Sequence, residues 1–138
     1  MTQPLPVALL DTDTLSAVMR REPKAIAQAQ AYLATHQRFT FALITRYEIL
    51  RGLYAKQATA QLVRFESLCS VSSILSFTDA TAVRAATVYA DLHQRGELIG
   101  DADILIAATA LEQGYVLATN NTNHFKRIPG LSIVNWLA

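Results

Sequence analysis

The sequence predicts an α/β protein built on a central, mainly parallel sheet of four to five strands with helices on both faces. Short apolar runs of strand length alternate with longer runs of helical character along the whole chain, the pattern of successive strand–helix–strand units. The first short run is apolar without interruption, as in a strand covered on both sides. With 138 residues, 51% of them hydrophobic and 17% charged, the chain has the material for one core and one domain, 1–138, and is too apolar to stay disordered.

The first strand is Pro6-Val7-Ala8-Leu9-Leu10, and a helix starts over Leu15 to Arg20. Pro23 suits the first position of a second helix, because its missing N–H is unpaired there in any case. That helix, Lys24 to Thr35, carries Ile26, Ala29 and Leu33 on one stripe. Phe39 to Leu43 reads as the second strand, followed by helices over Arg46 to Ala55 and Ala60 to Leu68. Ile74 to Phe77 is the third strand, and Asp79 is expected to cap a helix over Ala80 to Gln94. After Gly96 and Gly100, a helix runs over Asp103 to Gln113 with Leu105, Ala108 and Leu111 apolar, closed by Gly114 as a left-handed C-terminal residue. Val116 to Thr119 and Leu131 to Val134 complete the sheet.

Composition narrows the chemistry. Twelve Lys and Arg against eleven Asp and Glu give a formal charge of +1, so a grip on nucleic acid must come from a local cluster or a bound ion. One cysteine, Cys69, excludes an internal disulfide and a thiolate metal cage. Apolar runs such as Ile104 to Ala108 are far shorter than the roughly 20 residues a spanning helix needs. The N-terminus lacks a basic region, and Asp11 and Asp13 interrupt its apolar stretch. A cytoplasmic protein, without a membrane anchor, is expected.

The acids carry the functional signal. In a parallel sheet, ligands bind beyond the carboxyl ends of the strands. Asp11 and Asp13 stand at that end of the first strand, Asn120 and Asn121 at that end of the fourth. Glu48 lies one turn into the helix that leaves the second strand, and Asp101 and Asp103 open the helix that feeds the fourth. Carboxylates gathered on one rim repel one another unless a cation sits between them. Their hard oxygens suit Mg²⁺ or Mn²⁺, whereas one cysteine and the scatter of His36, His93 and His124 argue against zinc. A divalent ion there would activate water and offset charge on a phosphate, which points to metal-assisted hydrolysis of a phosphate ester.

Plainer roles stand beside these. Asp11 fits an N-cap, Asp13 a helix-dipole contact, and Glu48 with Arg51 a surface pair. Asp101 and Asp103 both fit capping, and one of them is expected to cap. Cys69 reads as a core residue, His36 and His93 as helix-end residues, and Trp136 and Tyr89 as core or interface. Arg46 and Arg51 bracket Glu48, where they would neutralise the site or hold a substrate phosphate, with Thr12 as a further substrate contact. His124, near Lys126 and Arg127, is a candidate phosphate contact.

Four segments in order, LLDTDTL (Leu9 to Leu15), ALITRYEILRG (Ala42 to Gly52), IGDADILIAATAL (Ile99 to Leu111) and ATNNTNHFKRIPGLSIVNW (Ala118 to Trp136), resemble the PIN-domain ribonucleases, most of all the VapC-type toxins of toxin–antitoxin pairs. The resemblance implies a PIN-like α/β/α domain and a Mg²⁺-dependent endoribonuclease, with Mn²⁺ as a substitute ion. Asp11, Glu48 and Asp103 fall on its metal-binding acids, and Asp101 matches an acid that part of the family carries. Asp13 stands where the family often has Asn, and the family's fourth acid falls on Asn121, an amide without charge. Thr119 and Asn121 would orient the attacking water or a metal ligand. The same resemblance implies a homodimer, a VapB-like antitoxin masking the cleft, operator DNA bound only through that antitoxin, and an RNA substrate such as tRNA.

Two other functions fit parts of the sequence. LLDTDTL also matches the first motif of haloacid-dehalogenase-type phosphatases, in which Asp11 would be a nucleophile and Asp13 a general acid. Asn121 leaves room for a catalytically weakened domain that acts by binding.

Overall fold

The computed structural model describes residues 5–138. Residues 1–4, at the N-terminus where no basic leader region is expected, lie outside the described residues. The elements run β1 (Ala8–Leu10), α1 (Thr12–Met19), α2 (Pro23–His36), β2 (Thr40–Ala42), α3 (Leu43–Ala55), α4 (Thr59–Ser70), β3 (Ser73–Leu75), α5 (Asp79–Gln94), α6 (Asp101–Gln113), β4 (Val116–Ala118), α7 (Thr122–Phe125) and β5 (Ile133–Val134). All strand pairs are parallel, in the order β3-β2-β1-β4-β5. The expected α/β architecture is therefore present. The chain builds outward from β1 to β3, then crosses to β4 on the other side of β1. That reversal opens a crevice at the carboxyl ends of β1 and β4.

The two faces of β1 feed two cores. Side chains alternate along a strand, so Leu9 points into a layer with α5 and α6 residues such as Leu92, Ile104 and Ile106. Ala8 and Leu10 point the other way, against Leu15, Ala29, Tyr32, Phe65 and Trp136. The Tyr32 hydroxyl accepts from the Ala8 N–H at 3.1 Å and donates to the Ala8 carbonyl at 3.3 Å, which ties α2 to the start of β1. Trp136 is a core residue, whereas Tyr89 is 44% exposed and is not. Among the described residues no helix is long and apolar enough to cross a membrane.

Several helix ends differ from the sequence expectation. Thr78, not Asp79, caps α5: it is extended, and its hydroxyl accepts from the Thr81 N–H at 3.2 Å. Asp79 becomes the first helical residue, where its charge still meets the positive end of the dipole. Neither Asp101 nor Asp103 caps α6, because Gly100 occupies the N-cap and both acids lie in the first turn. Helix α1 begins three residues earlier than Leu15, and α3 starts directly after β2 at Leu43. The short α7 was not anticipated. Gly114 does close α6 in the left-handed region, at φ 69°.

Candidate functional site

Asp11 continues β1 into the crevice. Its N–H donates to the Ala118 carbonyl at 3.0 Å, extending the β1–β4 ladder by one residue. Its Oδ1 accepts from the Thr14 N–H at 2.8 Å, so Asp11 caps α1 as well. The cap does not consume the second oxygen. Only 4% exposed, Asp11 is pushed above the ordinary carboxyl range by burial, and the Thr119 hydroxyl and Thr14 N–H partly offset this.

Glu48 reaches the same rim from α3. Its Oε1 accepts from the Thr12 hydroxyl at 2.7 Å, and that hydroxyl also lies 3.2 Å from the Thr45 hydroxyl. Arg51, one turn on, stands 3.6 Å from Oε2. Thr12 thus holds an acid in place instead of being free for substrate. Thr45 was missed from the sequence, although its position three residues before Glu48 puts it on the same helical face.

Asp103 arrives from the first turn of α6 and is half-buried. Burial raises its carboxyl first, then the negative charges of Asp11 and Glu48; His124, when charged, pulls it back, and Asp13 adds a little more repulsion. Asp103 therefore feels acids from two other parts of the chain. Asp13 itself is exposed in the first turn of α1, as a dipole contact requires.

At the end of β4, Thr119 is fully buried, and its Oγ1 accepts from the Asn121 N–H at 2.9 Å. Asn121 Nδ2 meets His124 Nδ1 at 2.7 Å. The Thr119 hydroxyl lies against Asp11.

Two expected members are elsewhere. Asp101 is exposed on the other side of α6, in a shallow depression with Ala85, Ala86 and Tyr89 of α5. Arg46 points away from Glu48 toward α4, where it pairs with Glu66 and donates to Cys69 Sγ at 3.2 Å. The reason is the same for both: two residues turn a helix by about 200°, so each sits opposite the acid it was grouped with.

A cavity of about 320 Å³ adjoins Glu48 and Thr12 between α1, α3 and α4. Arg20, Lys56 and Arg64 reach its wall from three helices. These cations were not recognised as a group, because only the tertiary fold collects them.

The donors suit a hard divalent ion. All are oxygens, and among the described residues neither Asp11 nor Asp103 has an ion-pair partner. Burial first, and then the charges of Asp11 and Glu48, raise the Asp103 carboxyl. Among the described residues, however, no three His, Cys, Asp or Glu side chains converge closely enough to enclose an ion as they stand. Glu48 is held by Thr12 and Arg51, and Asp11 by Thr14. Mg²⁺ keeps several of its waters, so an open arrangement of this kind fits an ion held partly through water.

Comparison with known proteins places the chain in a family. The PIN domain family model matches residues 8–131. Ribonuclease VapC1 of Haemophilus influenzae is 29% identical over 131 residues, covering 94% of this chain and 98% of that protein. The tRNA(fMet)-specific endonuclease VapC of Salmonella typhimurium is 29% identical over 129 residues, covering 93% and 96%. Among solved structures, DNA-bound VapBC from Salmonella typhimurium superposes with a TM-score of 0.86 at 28% identity, covering 96% of this chain and 99% of that one. VapBC2 of Rickettsia felis bound to a promoter DNA fragment gives 0.84 at 26% identity, covering 94% and 98%. The dehalogenase-type alternative gains no support from any of these. With a 3-2-1-4-5 parallel sheet and a family match across nearly the whole length, the chain belongs to the PIN domain family.

Proposed function

We propose that this chain is a VapC-type endoribonuclease toxin that hydrolyses RNA phosphodiester bonds with the help of Mg²⁺. The observation that carries the reading is the placement of Asp11, Glu48 and Asp103 at one rim, where Asp103 is raised by burial and by the charges of the other two, and only Glu48 has a cation, Arg51, beside it. These three would hold the ion, with Mn²⁺ able to replace Mg²⁺. When bound, such an ion supplies an activated water and neutralises charge that builds on the phosphate.

The chain's own groups prepare that chemistry. Thr14 and Thr119 hold Asp11, and Thr12 with Arg51 holds Glu48, so two acids are oriented before substrate arrives. Asn121 offers an amide oxygen that can accept from water without adding charge. Arg20, Lys56 and Arg64 line the cavity next to Glu48, where phosphates flanking the cut would lie.

Partners follow from the relatives. VapBC structures contain a VapB antitoxin, so a VapB-like antitoxin is proposed here, with operator DNA reached only through it. Leu43, Tyr47 and Phe77 are 47%, 54% and 55% exposed around one apolar depression, a surface suited to a homodimer. The substrate class is RNA, with tRNA the first candidate from the Salmonella relative's name. A cytoplasmic location accords with that substrate.

The test is incubation of purified protein with total RNA, with Mg²⁺ or with EDTA, followed by mapping of new ends. Discrete Mg²⁺-dependent cuts, lost in Asp11→Ala, are expected. Full-rate cutting by Asp11→Ala would refute the residue roles, and no cutting by the wild type would favour a domain that acts by binding alone.

A further inference from the structure

Asn121 is the N-cap residue of α7, yet its side chain makes no capping bond. Its neighbour Asn120 is occupied elsewhere, with Oδ1 accepting from Asn135 Nδ2 at 3.1 Å. The Asn121 carboxamide instead meets the His124 ring, Nδ2 to Nδ1 at 2.7 Å. An amide nitrogen carries two hydrogens and no lone pair, so Nδ1 must be the acceptor. This hydrogen bond calls for the ring's proton to sit on Nε2. An imidazolium, or the Nδ1–H tautomer, would set hydrogen against hydrogen.

This contact matters because of what lies beside it. The Asn121 N–H is fixed to Thr119 Oγ1 at 2.9 Å, and the Thr119 hydroxyl lies against Asp11. The backbone of Asn121 is thus tied through Thr119 to Asp11, at the edge of the acids. Carboxylates attract the NH₂ end of an amide, and a carboxamide turned that way would bond the acids and occupy their lone pairs. Oδ1 and Nδ2 sit on opposite sides of one planar group, so holding the nitrogen aims the oxygen elsewhere.

We propose that His124 is a positioning residue: by accepting from Asn121 Nδ2 it keeps the amide's donor end off the carboxylates and leaves Oδ1 as the acceptor for a metal-bound water. The proposal rests on the nuclease reading above. Sequence reading gave His124 a different role, as a phosphate contact.

The test is a double-mutant cycle of His124→Ala and Asn121→Ala, with His124→Gln as the conservative variant, read by Mn²⁺ titration and by RNA cleavage. Urea midpoints confirm that each variant is folded. His124→Ala is expected to weaken Mn²⁺ binding and lower cleavage about fivefold, the scale of one hydrogen bond. The same change in the Asn121→Ala background is expected to cost nothing further. His124→Gln, whose Oε1 can accept from the amide, should recover most of the loss. In ¹⁵N-labelled metal-free protein, the ring should show the neutral Nε2–H form, and lose that preference in Asn121→Ala. Additive losses, failure of His124→Gln to recover, or an Nδ1–H ring in the wild type would overturn the proposal. Wild-type protein that cuts no RNA refutes the nuclease reading instead, while the Mn²⁺ cycle and the ring tautomer still decide the role of His124.

Discussion

Asp103→Asn is the sharpest probe of the acidic rim, because it should stabilise the protein while disabling it. In the metal-free state, Asp103 has a carboxyl raised above its ordinary value of 3.8, by burial and by Asp11 and Glu48. A carboxyl with a raised folded-state pKa binds protons more tightly in the folded chain. Its penalty is absent below 3.8, grows as the pH passes through the raised value, and is complete above it. Half-exposure lets water screen much of the repulsion, so the gain at pH 8 in EDTA should be about 0.5–1 kcal/mol, roughly 2–4 °C in Tm. At pH 3.5 the variant and the wild type should melt together, apart from any pH-independent offset. Added Mg²⁺ should stabilise the wild type and reverse the order, since an ion favours the state that binds it. Thermal unfolding at both pH values, with EDTA and with Mg²⁺, is the assay. A variant less stable than the wild type at pH 8 in EDTA, or a difference independent of pH, would refute the claim that these acids repel one another.

Other substitutions separate roles that overlap in one residue. Asp11→Ser keeps a cap for α1 but removes the carboxylate, so its stability should stay within about 0.5 kcal/mol of wild type while cleavage falls at least a hundredfold; Asp11→Ala should lose about 1 kcal/mol as well. Thr12→Val removes the hydroxyl that holds Glu48, and a five- to thirtyfold loss in kcat/KM with little change in urea midpoint is expected. Arg46→Met breaks the partly exposed pair with Glu66 and the bond to Cys69 Sγ, and should cost about 1 kcal/mol with RNA cleavage unchanged. A large kinetic effect there would mean that Arg46 leaves α4 to reach substrate.

The comparison of sequence with structure turns on distance along the chain. Unbroken apolar runs such as Ala8–Leu10 and Val116–Ala118 announce strands buried on both faces, because only a covered strand tolerates that pattern. Gly114 announces a helix end for an equally local reason. Asp11, Glu48 and Asp103 were grouped because Asp11 directly follows a strand and the other two lie near the starts of helices. Asp101 and Arg46 were misplaced because two residues of separation feel close in a sequence and lie on opposite sides of a helix. Thr78 displaced Asp79 as a cap because both are good caps, and nothing local decides between adjacent candidates.

By itself, then, the order of residues determined the alternation of elements, the parallel sheet and the kind of donor that faces the crevice, since these depend on short-range periodicity and side-chain chemistry. Only the tertiary structure decided which donors meet. It turned Asp101 and Arg46 away, set Thr12 and Thr45 behind Glu48, drew Arg20, Lys56 and Arg64 into one wall, and joined Asn121 to His124. Those outcomes depend on how helices from distant parts of the chain rotate as they pack on the sheet, and burial of apolar faces across the whole core sets that rotation.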